Sequence, residues 1–88
     1  MNRALVTEEN INKAMDILKY HLERRLKEKG YGTFASTHEI YGIMQEEVDE
    51  LREAMRYNHP DEFMGELEDV GVVALFGIAC IIQKDMDW

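Results

Sequence analysis

The run Val70-Gly71-Val72-Val73-Ala74-Leu75-Phe76-Gly77-Ile78-Ala79-Cys80-Ile81-Ile82 holds thirteen consecutive residues without a charged or strongly polar side chain. It is shorter than the ~20 apolar residues a helix needs to cross a bilayer, so no membrane partner is expected. Coiled into a helix, it is apolar on every side, and such a helix must be covered all round. The chain has 88 residues, enough for one small domain. Two other helices of ordinary length cannot enclose a third. The run therefore predicts an obligate homo-oligomer whose core contains the last helix.

The rest of the chain also reads as helical. Thr7 is a plausible N-cap, with Glu8 and Glu9 in a first turn that favours negative charge. Ile11, Ala14, Met15, Leu18, Leu22 and Leu26 then recur at three- and four-residue steps, an amphipathic period. Lys27 and Lys29 fall in the last turn, and Gly30 suits the left-handed position beyond it. After the loop Gly30-Tyr31-Gly32-Thr33, Ser36 and Glu39 match a capping box and open a second helix. That helix runs to about Tyr57. Asn58 and His59 precede Pro60, the single proline, which suits the first position of a third helix. The expected helices are 7–29, 37–57 and 60–83, in one all-α domain. No segment alternates cleanly enough for a strand.

Charge is spread unevenly. The chain carries 10 Lys/Arg against 18 Asp/Glu, a net −8. Residues 1–38 have seven basic and five acidic side chains, while residues 39–88 have three and thirteen. A carboxylate-rich surface repels phosphate backbones, so no nucleic-acid polymer is expected as a partner. With 45% hydrophobic residues the chain is not a disordered acidic tail. One cysteine excludes an internal disulfide framework. No basic segment leads into a short apolar core at the N-terminus, so the expected location is cytoplasmic.

The phase of the acids carries the chemistry. At 100° per residue, Ile40, Ile43, Met44, Leu51 and Ala54 lie within about 60° of Glu47. Glu47 thus sits in the middle of the apolar stripe, and Glu50 lies at its edge. The opposite face, Gln45, Asp49, Arg52, Glu53 and Arg56, is ordinary, with Asp49–Arg52 and Glu53–Arg56 spaced as i,i+3 pairs. On the third helix Glu66 and Asp69 share a stripe with Val70, Val73 and Gly77. A buried carboxylate must find a partner or a proton. Arg52 and Arg56 point outward, leaving too few cations on these faces. A divalent cation resolves the conflict, and all-oxygen ligation suits Mg²⁺ or Mn²⁺. Zinc prefers His and Cys, and neither lies on these faces.

Glu46-Glu47-Val48-Asp49-Glu50-Leu51, with fifteen residues between Glu50 and the second element Glu66-Leu67-Glu68-Asp69-Val70 and then an apolar helix, resembles the ExxE…ExxD pattern of the MazG-like, all-α nucleoside triphosphate pyrophosphohydrolases. The resemblance covers roughly residues 36–82. It implies a helical bundle completed as a dimer or tetramer, with Mg²⁺ held by Glu47, Glu50, Glu66 and Asp69. It also implies hydrolysis of a (d)NTP to the monophosphate and pyrophosphate. The chain departs from the pattern at Glu68, where many members carry Gly, and at Met44-Gln45, where many carry Lys.

On that reading a water activated by Glu46 or Glu50 attacks the α-phosphorus. Phosphates need cationic contacts, and Arg24, Arg25, Lys27 and Lys29 form the one basic cluster, with His38 near a helix start as a further substrate contact. Simpler roles suit the remaining candidates. Tyr31, Phe34 and Trp88 read as loop and terminal packing rather than base stacking. His21 and His59 read as surface residues, and Cys80 as a small buried hydrophobe. His38-Glu39-Ile40-Tyr41-Gly42 lacks the second His of a zinc-protease motif. The alternative function is a non-catalytic acidic helical module, either a silent relative or an antitoxin-like partner for a basic protein.

Overall fold

The computed structural model describes residues 2–84, 86 and 87; Trp88 lies outside them. Three helices make up the fold, α1 (Glu8–Lys29), α2 (Thr37–Arg56) and α3 (Pro60–Gln83). There is no strand among the described residues, only an isolated bridge between Ser36 and Asp87.

Local chemistry sets the helix ends. The Thr7 hydroxyl accepts from the Asn10 N–H and opens α1. Gly30 closes it at φ 96°, a conformation that side chains beyond glycine rarely adopt. The Ser36 hydroxyl accepts from the Glu39 N–H at 3.2 Å. Glu39 reaches back one residue further than a capping box requires, accepting from the Ala35 N–H at 2.8 Å. Between α2 and α3, Asn58 adopts φ 59°. The His59 N–H bonds to the Ala54 carbonyl and the Asn58 N–H to the Met55 carbonyl. This is a Schellman closure with asparagine in the left-handed position. Pro60, whose fixed φ cannot continue α2, begins α3 in the next residue.

α3 is the middle element. It packs against both α1 and α2, whose backbones do not approach each other. α2 and α3 run antiparallel, with Gly77 near the end of α3 against Ile40 near the start of α2. α1 crosses α3 where Gly71 meets Leu18. The fully buried core is small: Ala54, Val72, Val73, Gly77 and Cys80. No residue of α1 is fully buried. Its apolar stripe is half-covered at Leu18, Leu22 and Leu26, but Ile11 and Met15 stay exposed. The i,i+3 ion pairs expected on α2 are absent. Asp49 instead accepts from the Gln45 side chain at 3.2 Å, one full turn away, where the geometry is easier.

The accessible surface is 7331 Å². A compact folded monomer of 10.3 kDa exposes about 5,400 Å². The radius of gyration, 14.8 Å, likewise exceeds the ~12 Å typical of this length. Exposed apolar side chains contribute to the surplus surface, among them Ile78, 57% exposed, and Ile82, 72% exposed, at the end of α3. No described helix is long and apolar enough to cross a membrane.

The two helical glycines at crossings give opposite forecasts. A Cβ on Gly77 meets Ile40 at 3.4 Å, ordinary contact, whereas one on Gly71 meets Leu18 at 2.9 Å. Gly77→Ala is expected to stabilise the chain by up to ~1 kcal/mol through helix propensity, roughly 4–8 °C in Tm. Gly71→Ala gains less or loses stability, because Leu18 must move off α3. Thermal melts of both variants check the ranking.

Candidate metal centre

Midway along the α2–α3 seam, one carboxylate oxygen from each of Glu47, Glu66 and Asp69 lies within 4.8 Å of the other two. All three side chains are half-buried. Their position follows from helical phase. Glu47 falls inside the stripe that α2 turns toward α3, and Glu66 and Asp69, one turn apart, fall on the stripe that α3 turns back. Asp69 and Val70 mark the point where α3 becomes wholly apolar.

Oε2 of Glu47 and Oε2 of Glu66 have almost no solvent contact and no hydrogen-bond partner. Leaving a buried charged acceptor unsatisfied is costly. The titration of both groups is displaced accordingly. Burial raises the Glu47 carboxyl above its ordinary value; repulsion from Asp69 and Glu50 adds to this, and Arg25 partly opposes it. Burial also raises Glu66, reinforced by the neighbouring Glu50 carboxylate and then by Asp69 and Glu47. Glu50 is exposed and stands beside the triangle rather than in it. Three hard oxygen donors around unpartnered lone pairs fit a small divalent cation.

One cation of the chain itself reaches the cluster. Arg25 of α1 donates through its guanidinium to Oδ1 of Asp69. The expectation of too few cations concerned the faces of α2 and α3, and on those faces it stands. Arg52 and Arg56 are indeed exposed, but α1 supplies the partner from outside the hairpin. His21, one turn before Arg25, places Nε2 2.8 Å from Oε1 of Glu68. It is therefore half-buried at a helix crossing, not the surface residue its sequence context suggests. The i,i+4 spacing of His21 and Arg25, set against adjacent Glu68 and Asp69, was the available signal.

Beside the acids, the gap between α1 and α2 forms a cavity of about 460 Å³ floored by Val73 and Phe76 of α3. Arg25 and Lys29 line one side and Glu46 and Glu47 the other. Phe34 closes one end, its ring edge-on to Phe76 with centroids 4.9 Å apart. The remaining candidates lie elsewhere. Arg24 pairs with Glu28 on the exposed face of α1 at 3.5 Å. Lys27 and His38 are exposed, and neither lines the cavity. Comparison with protein-family models, curated proteins and solved structures returns no match to this chain.

Raised carboxyl values mean that folding favours the protonated forms of Glu47 and Glu66. Their contribution to stability is full below the ordinary value of 4.5 and is lost as pH climbs through the raised values. Glu47→Gln mimics the protonated state. Without divalent cation it is expected to melt roughly 2–5 °C above wild type near pH 8, with the gap closing toward pH 4.5. Equal melting temperatures across the whole range would remove the repulsion inferred at the seam.

Proposed function

We propose that the chain is a Mg²⁺-dependent nucleoside triphosphate pyrophosphohydrolase of the MazG-like kind. The observation that carries this reading is the pair of unsatisfied, solvent-shielded oxygens on Glu47 and Glu66, which meet Asp69 beside a cavity with both acidic and basic walls. Glu47, Glu66 and Asp69 would hold the ion, with Glu50 adjacent as a fourth carboxylate. Bound there, Mg²⁺ supplies charge neutralisation for triphosphate oxygens and for the charge that builds at phosphorus.

The chain's own residues do the rest. Glu46, exposed on the cavity wall, and Glu50, exposed beside the triangle, are the two carboxylates free to orient a water and take its proton. The water oxygen bonds to the α-phosphorus, the bond from that phosphorus to the bridging oxygen of the β-phosphate breaks, and pyrophosphate leaves. Arg25 and Lys29 offer cationic contacts from the opposite wall. The apolar floor of Val73 and Phe76, with Phe34 at one end, suits the flat face of a nucleobase.

Assembly belongs to the same proposal. The surface in excess of a compact monomer is about 2,000 Å², well above the ~800 Å² per partner of a standard interface. A dimer or tetramer covering Ile78, Ile81 and Ile82 removes apolar area that a single chain leaves wet. Light scattering at micromolar concentration is expected to give at least twice the chain mass. A monomer would withdraw this part.

The ion pair between Arg25 and Asp69 favours one alternative, a non-catalytic acidic module that neutralises its own cluster. A nucleotide panel with Mg²⁺ separates the two. Wild type is expected to release pyrophosphate from at least one (d)NTP, with loss of at least about a hundredfold in Glu47→Gln and Asp69→Asn. Release unchanged in both variants removes the assigned site, and no turnover of any nucleotide favours the binding module.

A further inference from the structure

We propose that Arg25 is an exchangeable counter-ion: it holds Asp69 while the acidic triangle lacks a divalent cation, and transfers to a phosphate group in the adjoining cavity when a cation takes its place. The inference rests on the metal-site reading and adds to it a mechanism by which cation and anion bind in order.

Three observations carry it. The first is charge: Arg25 is the one described Lys or Arg paired with a residue of the triangle. A divalent cation arriving on the same carboxylates removes most of the attraction that keeps the guanidinium there and adds direct repulsion. The second is access. The side chains of Arg25 and Asp69 retain 37% and 32% of their exposure, so the pair is solvated enough to exchange. The third is reach. Arg25 already lines the cavity, one turn from Lys29 and across from Glu46 and Glu47. A rotamer change carries its head from the carboxylate into that space without moving α1. The helix itself stays anchored one turn earlier by His21 on Glu68 and two turns earlier by Leu18 over Gly71.

Planar, forked and always charged, a guanidinium released in this way suits the oxygens of a phosphate better than an ammonium does. Arg24 cannot take the role, being paired with Glu28 on the outer face of α1. The consequence is a coupling. Divalent cation exposes the anion-binding group, and by linkage the anion strengthens cation binding by the same factor. A triphosphate reaching the site without its metal meets three carboxylates and an arginine already engaged.

Calorimetry with Mn²⁺ alone, and with inorganic triphosphate in the presence and absence of Mg²⁺, tests this on wild type and Arg25→Met. Wild type is expected to bind Mn²⁺, and to bind triphosphate at least about fivefold more tightly with Mg²⁺ than without. Arg25→Met is expected to bind Mn²⁺ at least about threefold more tightly, its competitor being gone, and to lose at least about fivefold in triphosphate affinity with Mg²⁺ present. A purely structural arginine would weaken both. Arg25→Lys, which keeps the charge but not the fork, should fall between; it supplies the comparison if Arg25→Met fails to fold by circular dichroism. Arg25→Met, or Arg25→Lys in its place, binding Mn²⁺ no more tightly than wild type, or triphosphate just as tightly, overturns the exchange while leaving the metal site intact. Wild type binding no Mn²⁺ overturns the metal-site reading, and the exchange with it.

Discussion

Two carboxylate oxygens closed off from water and lacking any donor, Oε2 of Glu47 and Oε2 of Glu66, are the constraint around which this small fold is arranged. They lie where α2 and α3 press their apolar stripes together, so the hydrophobic force that closes the seam also forces like charges toward one another. Helix α1 relieves part of that tension through Arg25 on Asp69, and the same crossing is reinforced by His21 on Glu68. Remove the acids and the seam becomes an ordinary helix pair. With them it is an unfinished site whose chemistry calls for positive charge.

The unusual exposure of the chain has the same character. α3 lies between two helices whose backbones do not approach each other, and its far end carries Ile78, Ile81 and Ile82 into solvent. A chain of this length has too little material to close a core around its most apolar helix, and the fully buried set contains no side chain larger than valine. The polar seam leaves charge unsatisfied and the far end of α3 leaves apolar surface uncovered.

What the sequence made legible was the extent and phase of each helix taken by itself. Caps at Thr7 and Ser36, the start at Pro60, the stop at Gly30 and the inward phase of Glu47, Glu66 and Asp69 all follow from local dihedral preference and a period of 3.6 residues. What it left obscure was the rotation of α1 about its own axis relative to α3. Periodicity says that Arg25 and His21 share a face; it does not say which acids that face will meet. Arg24, Arg25 and Lys27 looked equivalent as a basic cluster, yet only Arg25 turns toward the seam. The Asp49–Arg52 and Glu53–Arg56 pairs failed for a related reason: spacing permits a surface ion pair, while side-chain entropy and water decide whether it forms.

The turn at Asn58 acts as a caliper. Glu50 and Glu66 each lie eight positions from Asn58, and Glu47 and Asp69 each lie eleven. Folding the antiparallel hairpin about that residue brings the members of each pair to the same height, so the two motifs find one another by counting from a hinge. The site is thus encoded as a distance along the chain as much as by the acids themselves. Inserting one residue into α3 between Pro60 and Glu66 would leave every one of those acids in the sequence, yet shift Glu66 and Asp69 about 1.5 Å along the helix and rotate them by about 100° relative to the turn. The carboxylates would then face different neighbours, and the cluster would come apart without the loss of a single acid.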